Sequence, residues 1–268
     1  MTGTAADREA GLGADWPAPA PGAAPLPRMI AAQAGLELRL LLRNGEQLLL
    51  TVIIPVLLLV AFGREPLVAV SGSRIDFVVP GILALAVMST AFTSLAIATG
   101  FERRYGVLKR LGASPLSRGG LIAAKTLSVL AVEVLQTAVI VVLGLVLGWQ
   151  PRTSPAGVVW AIALMLAGTA AFSGLALLLA GTLRAEATLA AANLLYLVML
   201  GIGGVVFPLA KFPAAIRPEL RLLPAGALAD GLRTALARGG GLPAADLLVL
   251  LAWAVIAIVV AARTFRWE

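Results

Sequence analysis

The sequence predicts an all-α polytopic membrane protein, and its composition, its apolar runs and its charge pattern each favour this fold class. Of the 268 residues, 60% are hydrophobic and only 13% are charged, and the mean hydropathy is +0.96. A soluble globular domain carries roughly 25% charged residues. Long apolar runs recur along the chain, and basic residues are concentrated in the connections between them. The net charge of +7 is therefore expected from membrane topology and does not indicate nucleic-acid binding.

Cysteine and histidine are absent from the sequence, which restricts the chemistry that the chain can perform. Without them there is no thiol chemistry, no disulfide and no histidine acid–base catalysis, and the usual zinc and haem sites are excluded. We therefore predict no catalytic residue, no metal ligand and no cofactor bound by this chain.

Residues 1–27 are predicted to form a disordered cytoplasmic tail. They are rich in Ala, Pro and Gly and contain few side chains that could be buried in a core. No basic segment leads into an apolar run here, so the tail does not have the pattern of a secretory signal peptide.

An amphipathic helix is predicted next, over residues 28–45. Its apolar positions at helical spacing are Ile30, Ala34, Leu38, Leu41 and Leu42. We interpret Glu37, Arg39 and Arg43 as lying away from this stripe, which indicates a helix in the cytoplasmic interface. The alternative is that these residues extend the first membrane span as one bent helix.

Residues 46–268 are predicted to form one transmembrane domain with six spans. A span needs about 20 mostly apolar residues, and fewer where flanking side chains reach the interface. The six apolar segments are 47–62, 77–100, 119–148, 156–182, 188–207 and 247–262. The first contains Pro55, which a span tolerates when neighbouring groups satisfy the freed carbonyl.

Basic residues in the short connections predict the orientation of the spans. With both termini in the cytoplasm, eleven basic residues lie on the cytoplasmic side and three lie in the short loops opposite. This bias favours both termini inside. The connection 208–246 adds five basic residues outside, but long connections contribute less to orientation.

The connection 208–246 is too long and too apolar for an ordinary loop, and we expect a re-entrant helical hairpin between spans five and six. Its proline breaks are Pro208, Pro213, Pro218 and Pro224, and its later helical stripe is Leu228, Leu232 and Leu236. Gly239 to Gly241 are expected to end that helix. Irregular backbone of this kind must be shielded from lipid by protein or water. A surface loop is the alternative.

A basic segment, "GFERRYGVLKRLGASPLSRGGLIAAK", joins spans two and three. On one helix over 101–112, Phe101, Tyr105 and Leu108 fall close together. Gly112 can end this helix, and the proline at position 115 prevents its continuation. A ridge with aromatic and Arg side chains is typical of a protein-binding surface. Contact with anionic lipid explains the basic residues alone.

The same segment resembles the loop between the second and third spans of ABC-2 type transporter permeases, the membrane subunits of ABC exporters. In that family the pattern is E-R-x-x-G-x-L-x-x-L-x-x-x-P. The matching positions are Glu102, Arg103, Gly106, Leu108, Leu111 and Pro115. The resemblance extends over nearly the whole chain, and it is greatest to multidrug-efflux permeases of the daunorubicin-resistance type, which implies a role in antibiotic resistance.

The resemblance implies a mechanism and a set of partners. The segment would be the coupling helix, which docks on a separate nucleotide-binding ATPase that holds ATP and magnesium. Two ATPase copies would drive two permeases, either two copies of this chain or this chain with a paralogue, in the bacterial cytoplasmic membrane. The implied coupling residues are Phe101, Glu102, Arg103, Arg104, Tyr105, Gly106, Leu108, Lys109, Arg110, Leu111 and Pro115.

A stretch that nearly spells a phosphate-binding loop, "GGLIAAKT", occupies Gly119 to Thr126. Ala124 stands where the motif has its last glycine, and the stretch enters a predicted span rather than following a strand. We interpret it as a coincidence and expect Lys125 to extend its ammonium to the cytoplasmic interface. The chain itself is therefore predicted not to be an enzyme.

Polar side chains deep inside spans are costly, so each is a candidate for substrate contact. The candidates are Glu133, Gln136, Asn193 and Tyr196. A carboxyl group near the membrane midplane is expected to be protonated or paired, and Glu133 would suit a cationic amphiphile. The alternative for all four is hydrogen bonding between helices. That alternative is preferred for a polar patch on the second span: Ser89, Thr90, Thr93 and Ser94.

These observations favour the permease of an ABC exporter that moves a hydrophobic or amphiphilic, drug-like compound. An exporter of a lipid-linked polysaccharide or a glycolipid is the alternative within this class. A membrane-embedded enzyme is disfavoured because His and Cys are absent. A secondary transporter would predict an internal repeat, which residues 47–148 and 156–262 do not convincingly show.

Overall fold

The computed structural model describes residues 24–43, 45, 49–64, 73–112 and 114–264, and their regular structure is entirely helical. The α-helices of these residues are α1 (Leu26–Arg43), α2 (Ile54–Arg64), α3 (Arg74–Arg104), α4 (Val107–Gly112), α5 (Arg118–Val146), α6 (Pro155–Thr182), α7 (Ala185–Ile202), α8 (Arg217–Leu222), α9 (Pro224–Ala237) and α10 (Ala244–Thr264). The all-α fold class is confirmed.

Five helices of the described residues are long and apolar enough to cross a membrane: α3, α5, α6, α7 and α10. A shorter apolar helix, Thr51–Gly63, lies at the predicted first span and comprises a π-helical turn and most of α2. The chain is therefore a polytopic membrane protein. The predicted tail 1–27 falls almost entirely outside the described residues.

Helix α3 is the centre of the bundle. In its most apolar stretch 83% of the residues are buried, whereas the other four long helices reach 44% at most. Helices α2, α5, α6, α7 and α9 all pack against it. A π-helical turn, Met88–Ser94, interrupts α3 at the level where Phe92 packs on Phe172 of α6, with ring centroids 6.3 Å apart. Such turns insert one extra residue and are frequent at functional sites.

Helices α6 and α10 pack closely through small residues. A Cβ atom added to Gly174 of α6 would lie 2.9 Å from the Cβ of Ala257 in α10. In a lipid bilayer the hydrophobic effect does not drive helices together, because lipid tails are as apolar as the side chains. Close backbone approach through small residues is therefore a main source of helix association.

The connection 208–246 folds onto the bundle. It contains a 3-10 turn, Leu209–Lys211, followed by α8 and α9, each with a proline in its first turn. Helix α9 packs against α3, α6 and α10. The predicted stripe is confirmed, because Leu228 and Leu232 are fully buried and Leu236 is 8% exposed. Its depth in the membrane stays a prediction.

Helix α1 packs along α5, and its packed face corrects one expectation. Glu37 is buried in the same face as Ile30, Ala34 and Leu38, rather than lying away from that stripe. The reason is helical geometry, since residues three, four and seven positions apart share one face. Arg39 and Arg43 are exposed, as expected.

Candidate functional site

The connection between the second and third spans is not one helix over 101–112, which corrects that prediction. Helix α3 ends at Arg104, a turn occupies Tyr105 and Gly106, and α4 starts at Val107. Gly106 has φ +69°, a left-handed conformation that glycine adopts without strain. The amide of Tyr105 donates to the carbonyl of Phe101 and that of Gly106 to the carbonyl of Arg103, at 2.9 and 3.1 Å, which closes the helix end.

The turn presents a compact surface of aromatic and basic side chains, which we call the turn surface. Its members are Arg104, Tyr105, Lys109 and Arg110, all exposed. Tyr105 is 64% exposed, and its ring stacks on Phe101, with centroids 6.0 Å apart. Leu108 was expected on the same exposed ridge, but it is only 2% exposed, because the break at Gly106 turns it into the bundle. Leu111 is half-buried and Pro115 is exposed.

An ion cluster of three side chains holds this turn from behind. The ammonium of Lys125 in α5 lies 2.7 and 2.9 Å from the two carboxylate oxygens of Glu102 in α3. It also lies 3.2 Å from Oε1 of Glu37 in α1. Gln33 donates to Glu37 at 3.0 Å, and the hydroxyl of Ser128 lies 3.4 Å from its other oxygen. The cluster joins α1, α3 and α5.

The sequence reasoning missed this ion cluster. We expected Lys125 to extend its ammonium to the cytoplasmic interface, and that expectation did not include the two carboxylates that hold the ammonium or a side chain only 7% exposed. A signal was present in the sequence, because Glu37 and Lys125 each place a charge on an otherwise apolar helix face. A buried charge on such a face requires an opposite charge nearby.

Two arginines fix the end of α3 to the connection between α6 and α7 and to the first turn of α7. Arg103 donates from Nη2 to the carbonyl of Leu183, and Arg104 forms an ion pair with Glu186. Glu102 and Arg103, the acidic and basic residues of the pattern noted above, therefore hold the turn in position. Of the turn surface, Tyr105, Lys109 and Arg110 are the exposed side chains left free to contact a partner.

The stretch Gly119 to Thr126 is continuous α-helix within α5. The hydroxyl of Ser117 accepts a hydrogen bond from the amide of Gly120 at 3.1 Å, which caps the helix start. The helical backbone of this stretch cannot form the loop that wraps a phosphate group.

Glu133 and Gln136 of α5 are both buried and face different helices. Oε1 of Gln136 accepts from the hydroxyl of Thr90 in α3 at 2.8 Å, and its amide group donates to the carbonyl of Thr51. Gln136 and Thr90 therefore form a hydrogen bond between α5 and α3, which was the alternative to substrate contact for these residues. The other members of the α3 patch, Ser89, Thr93 and Ser94, are also buried.

Glu133 lies beside Thr169 of α6. The Thr169 hydroxyl is 2.7 Å from Oε2 of Glu133 and 2.8 Å from the carbonyl of Met165. Two arrangements fit these distances: the Thr169 hydroxyl shares its proton between the two acceptors, or it donates to Met165 and accepts from a neutral Glu133. Oε1 of Glu133 is buried with no hydrogen-bond partner among the described residues.

Two cavities lie near these candidates, and of the four candidate residues only Asn193 lines either of them. The first, of about 540 Å³, is lined by Asn193 of α7, by Thr90 and by the three side chains of the ion cluster. The second, of about 530 Å³, lies between α5, α6 and α10 and is mostly apolar, with Thr169 on its wall. The hydroxyl of Tyr196 is buried with no partner among the described residues.

This architecture defines a multi-pass membrane protein whose helices line two cavities and which carries a basic, aromatic turn at one end of its central helix. The chain matches the family described as ABC-2 type transporter over residues 34–236. It therefore belongs to the ABC-2 type transporter family and is a membrane permease of an ABC transporter, a class whose members work with an ATPase subunit. Comparison with curated proteins gives no match for this chain.

Proposed function

We propose that the chain is the permease of an ATP-driven exporter and that the turn surface docks on a separate ATPase subunit. The observation that supports this proposal is that residues 102–110 fall into two groups, one bonded to the bundle and one exposed. Glu102 and Arg103 are held by the bundle, whereas Tyr105, Lys109 and Arg110 extend from it. A rigidly mounted, exposed aromatic with flanking cations suits a protein partner, because aromatic and Arg side chains are enriched at interfaces.

In this proposal ATP and magnesium bind to the partner, and the chain itself carries no catalytic residue. Two ATPase subunits act on two permeases, either two copies of this chain or this chain with a paralogue. The assembly lies in a bacterial cytoplasmic membrane with both termini of the chain in the cytoplasm. Closure of the ATPases on ATP moves α4, and the ion cluster passes that movement to α1 and α5.

The proposed cargo is a hydrophobic or amphiphilic, drug-like compound, and a cationic one fits best. The cavity of about 540 Å³ has a volume typical of drug-sized ligands. Its ionisable groups include two carboxylates, Glu37 and Glu102, and one ammonium, Lys125. A cationic group is therefore favoured over an anionic one by the charges on the cavity wall.

Affinity purification of the tagged full-length chain from its native membrane in mild detergent tests the docking proposal. We expect a soluble ATPase to co-purify in a defined ratio and to be lost in Tyr105→Asp and Arg110→Glu. Glu219→Lys, a charge reversal on the exposed first turn of α8 far from α4, is the control and should retain the ATPase. A folded preparation in which all variants retain it equally would exclude the turn surface as the docking site.

A further inference from the structure

A basic cavity opens at the end of the bundle opposite the turn surface. It lies where α3 begins, roughly 46 Å along that helix from Arg104. Its volume is about 530 Å³. Five basic side chains line it, contributed by three connections and by α8 and α9: Arg152, Lys211, Arg221, Arg233 and Arg238. Two carboxylates share the wall, those of Asp76 and Asp230, so the lining carries an excess of positive charge.

Arg233 is the buried one of these five basic residues. The residue is 4% exposed, and its guanidinium is fixed by three contacts. Nε donates to the carbonyl of Phe77 at 3.2 Å, and Nη2 donates to the carbonyl of Val205 at 2.8 Å. The guanidinium carbon also lies 3.7 Å from the centroid of the Phe77 ring. These contacts orient the group but do not neutralise its charge, since carbonyls and rings are uncharged.

No carboxylate of the described residues lies within ion-pair distance of Arg233. Asp230, one turn earlier on α9, instead pairs with Arg238 at 3.0 Å. Asp76 lies in the first turn of α3, where the helix dipole offsets part of its negative charge. Nη1 of Arg233 has no hydrogen-bond partner among the described residues. A buried, unpaired cation is costly, so a counter-charge in the cavity would lower the free energy of the folded state.

We propose that this cavity binds the phosphate group of an anionic amphiphile, with Arg233 as the fixed donor and the exposed basic side chains closing around it. Guanidinium groups match phosphate geometry and form strong charge-assisted hydrogen bonds with it. The cavity lies at the end of the bundle where α3 begins, and this proposal places that end at the level of lipid headgroups. The site is independent of the cargo and of the docking surface proposed above.

Thermal unfolding of the full-length protein in a non-ionic detergent tests the site, because a ligand that binds only the folded state raises Tm. The probes are dihexanoyl phosphatidylglycerol, dihexanoyl phosphatidylcholine and inorganic phosphate at matched ionic strength. We expect phosphatidylglycerol to raise Tm and phosphatidylcholine to do so weakly, because the basic lining repels choline. A rise with inorganic phosphate as well shows that the phosphate group alone suffices, whereas a rise with phosphatidylglycerol alone assigns the site to a lipid headgroup.

The variants separate this site from general charge attraction. Arg233 also supports the fold, so the main variant is the exposed pair Arg152→Gln with Lys211→Gln. Its half-maximal phosphatidylglycerol concentration should rise about tenfold. The control pair, Arg39→Gln with Arg43→Gln on α1, removes the same charge elsewhere and should respond like the unmodified protein. Equal responses of the two pairs, equal effects of the two lipids, or no rise with either anion would overturn the proposal.

Discussion

The ammonium of Lys125 lies 2.7 Å from Oε2 of Glu102 and 3.2 Å from Oε1 of Glu37, so one cation joins three helices. Glu102 lies four residues before Gly106, and Gly106 belongs to the turn that connects α3 to α4. A displacement of α4 that reaches the end of α3 would strain the cluster, and α1 and α5 would then move with it or the ion pairs would break. In the proposed mechanism this makes the cluster the link between ATPase closure and the spans.

Removing the cation should destabilise the fold strongly. In Lys125→Met two carboxylates with side chains 10% and 24% exposed lose their partner. Breaking a buried ion pair from one side costs about 3–5 kcal/mol. Chemical unfolding in detergent measures the change in the free energy of unfolding. Lys109→Met, an exposed lysine on α4, is the control and should change it by about 0.5 kcal/mol or less.

A rescue experiment checks the cause of that loss. Adding Glu37→Gln and Glu102→Gln to Lys125→Met removes the uncompensated charges and should restore much of the stability, since neutral replacements of buried ion pairs are often tolerated. A triple variant no more stable than Lys125→Met would show that the lysine acts through packing rather than charge.

The same substitution should have a large effect on the free energy of unfolding at Leu108 and a small one at Tyr105. Leu108 is 2% exposed and Tyr105 is 64% exposed. Leu108→Asp buries a charge without a partner and should lower the free energy of unfolding by several kcal/mol, about the cost of an unsatisfied buried polar group or more. Tyr105→Asp should change it by about 0.5 kcal/mol. Similar losses in both variants would contradict the burial of Leu108 and the exposure of Tyr105.

Close packing of α6 on α10 makes Gly174 intolerant of a side chain. A Cβ there would approach Ala257 to 2.9 Å, whereas a Cβ at Gly201 of α7 meets nothing within 4 Å among the described atoms. Gly174→Ala should cost about 1–3 kcal/mol through overpacking. Gly201→Ala should be neutral or slightly stabilising, because alanine favours helix by about 1 kcal/mol over glycine. Equal Tm values for the two variants would contradict this packing.

Local patterns in the sequence predicted the parts of this fold that depend on local physics. The stripe of Leu228 and Leu232 identified the buried face of α9, because helical periodicity is a property of neighbouring residues. The ion cluster was missed because Glu37 and Lys125 meet only after α1 and α5 pack together. The break at Gly106 was missed because glycine permits a left-handed turn without requiring one.

The sequence likewise predicted one part of the candidate site and not the other. Basic and aromatic residues between two apolar runs identified the turn surface without any structure. Which of those residues are free was not predictable, since it depends on long-range partners such as Leu183 and Glu186. The same holds for Glu133 and Gln136, which share a helix face by spacing but meet different helices, α6 and α3.

Glu133 should matter for a cationic cargo and little for stability. One carboxyl oxygen of Glu133 bonds to Thr169 and the other has no partner among the described residues, which suits a neutral acid that ionises when a cation approaches. Gln cannot lose a proton, so Glu133→Gln keeps a neutral hydrogen-bonding group but cannot become a counter-charge. We expect the free energy of unfolding to change by about 1 kcal/mol or less, whereas efflux of a cationic amphiphile should fall about tenfold.

Efflux of an uncharged amphiphile of similar size is the control and should be unchanged. Unchanged efflux of the cation in Glu133→Gln would exclude Glu133 from the substrate route and leave it with the role of a hydrogen bond between α5 and α6.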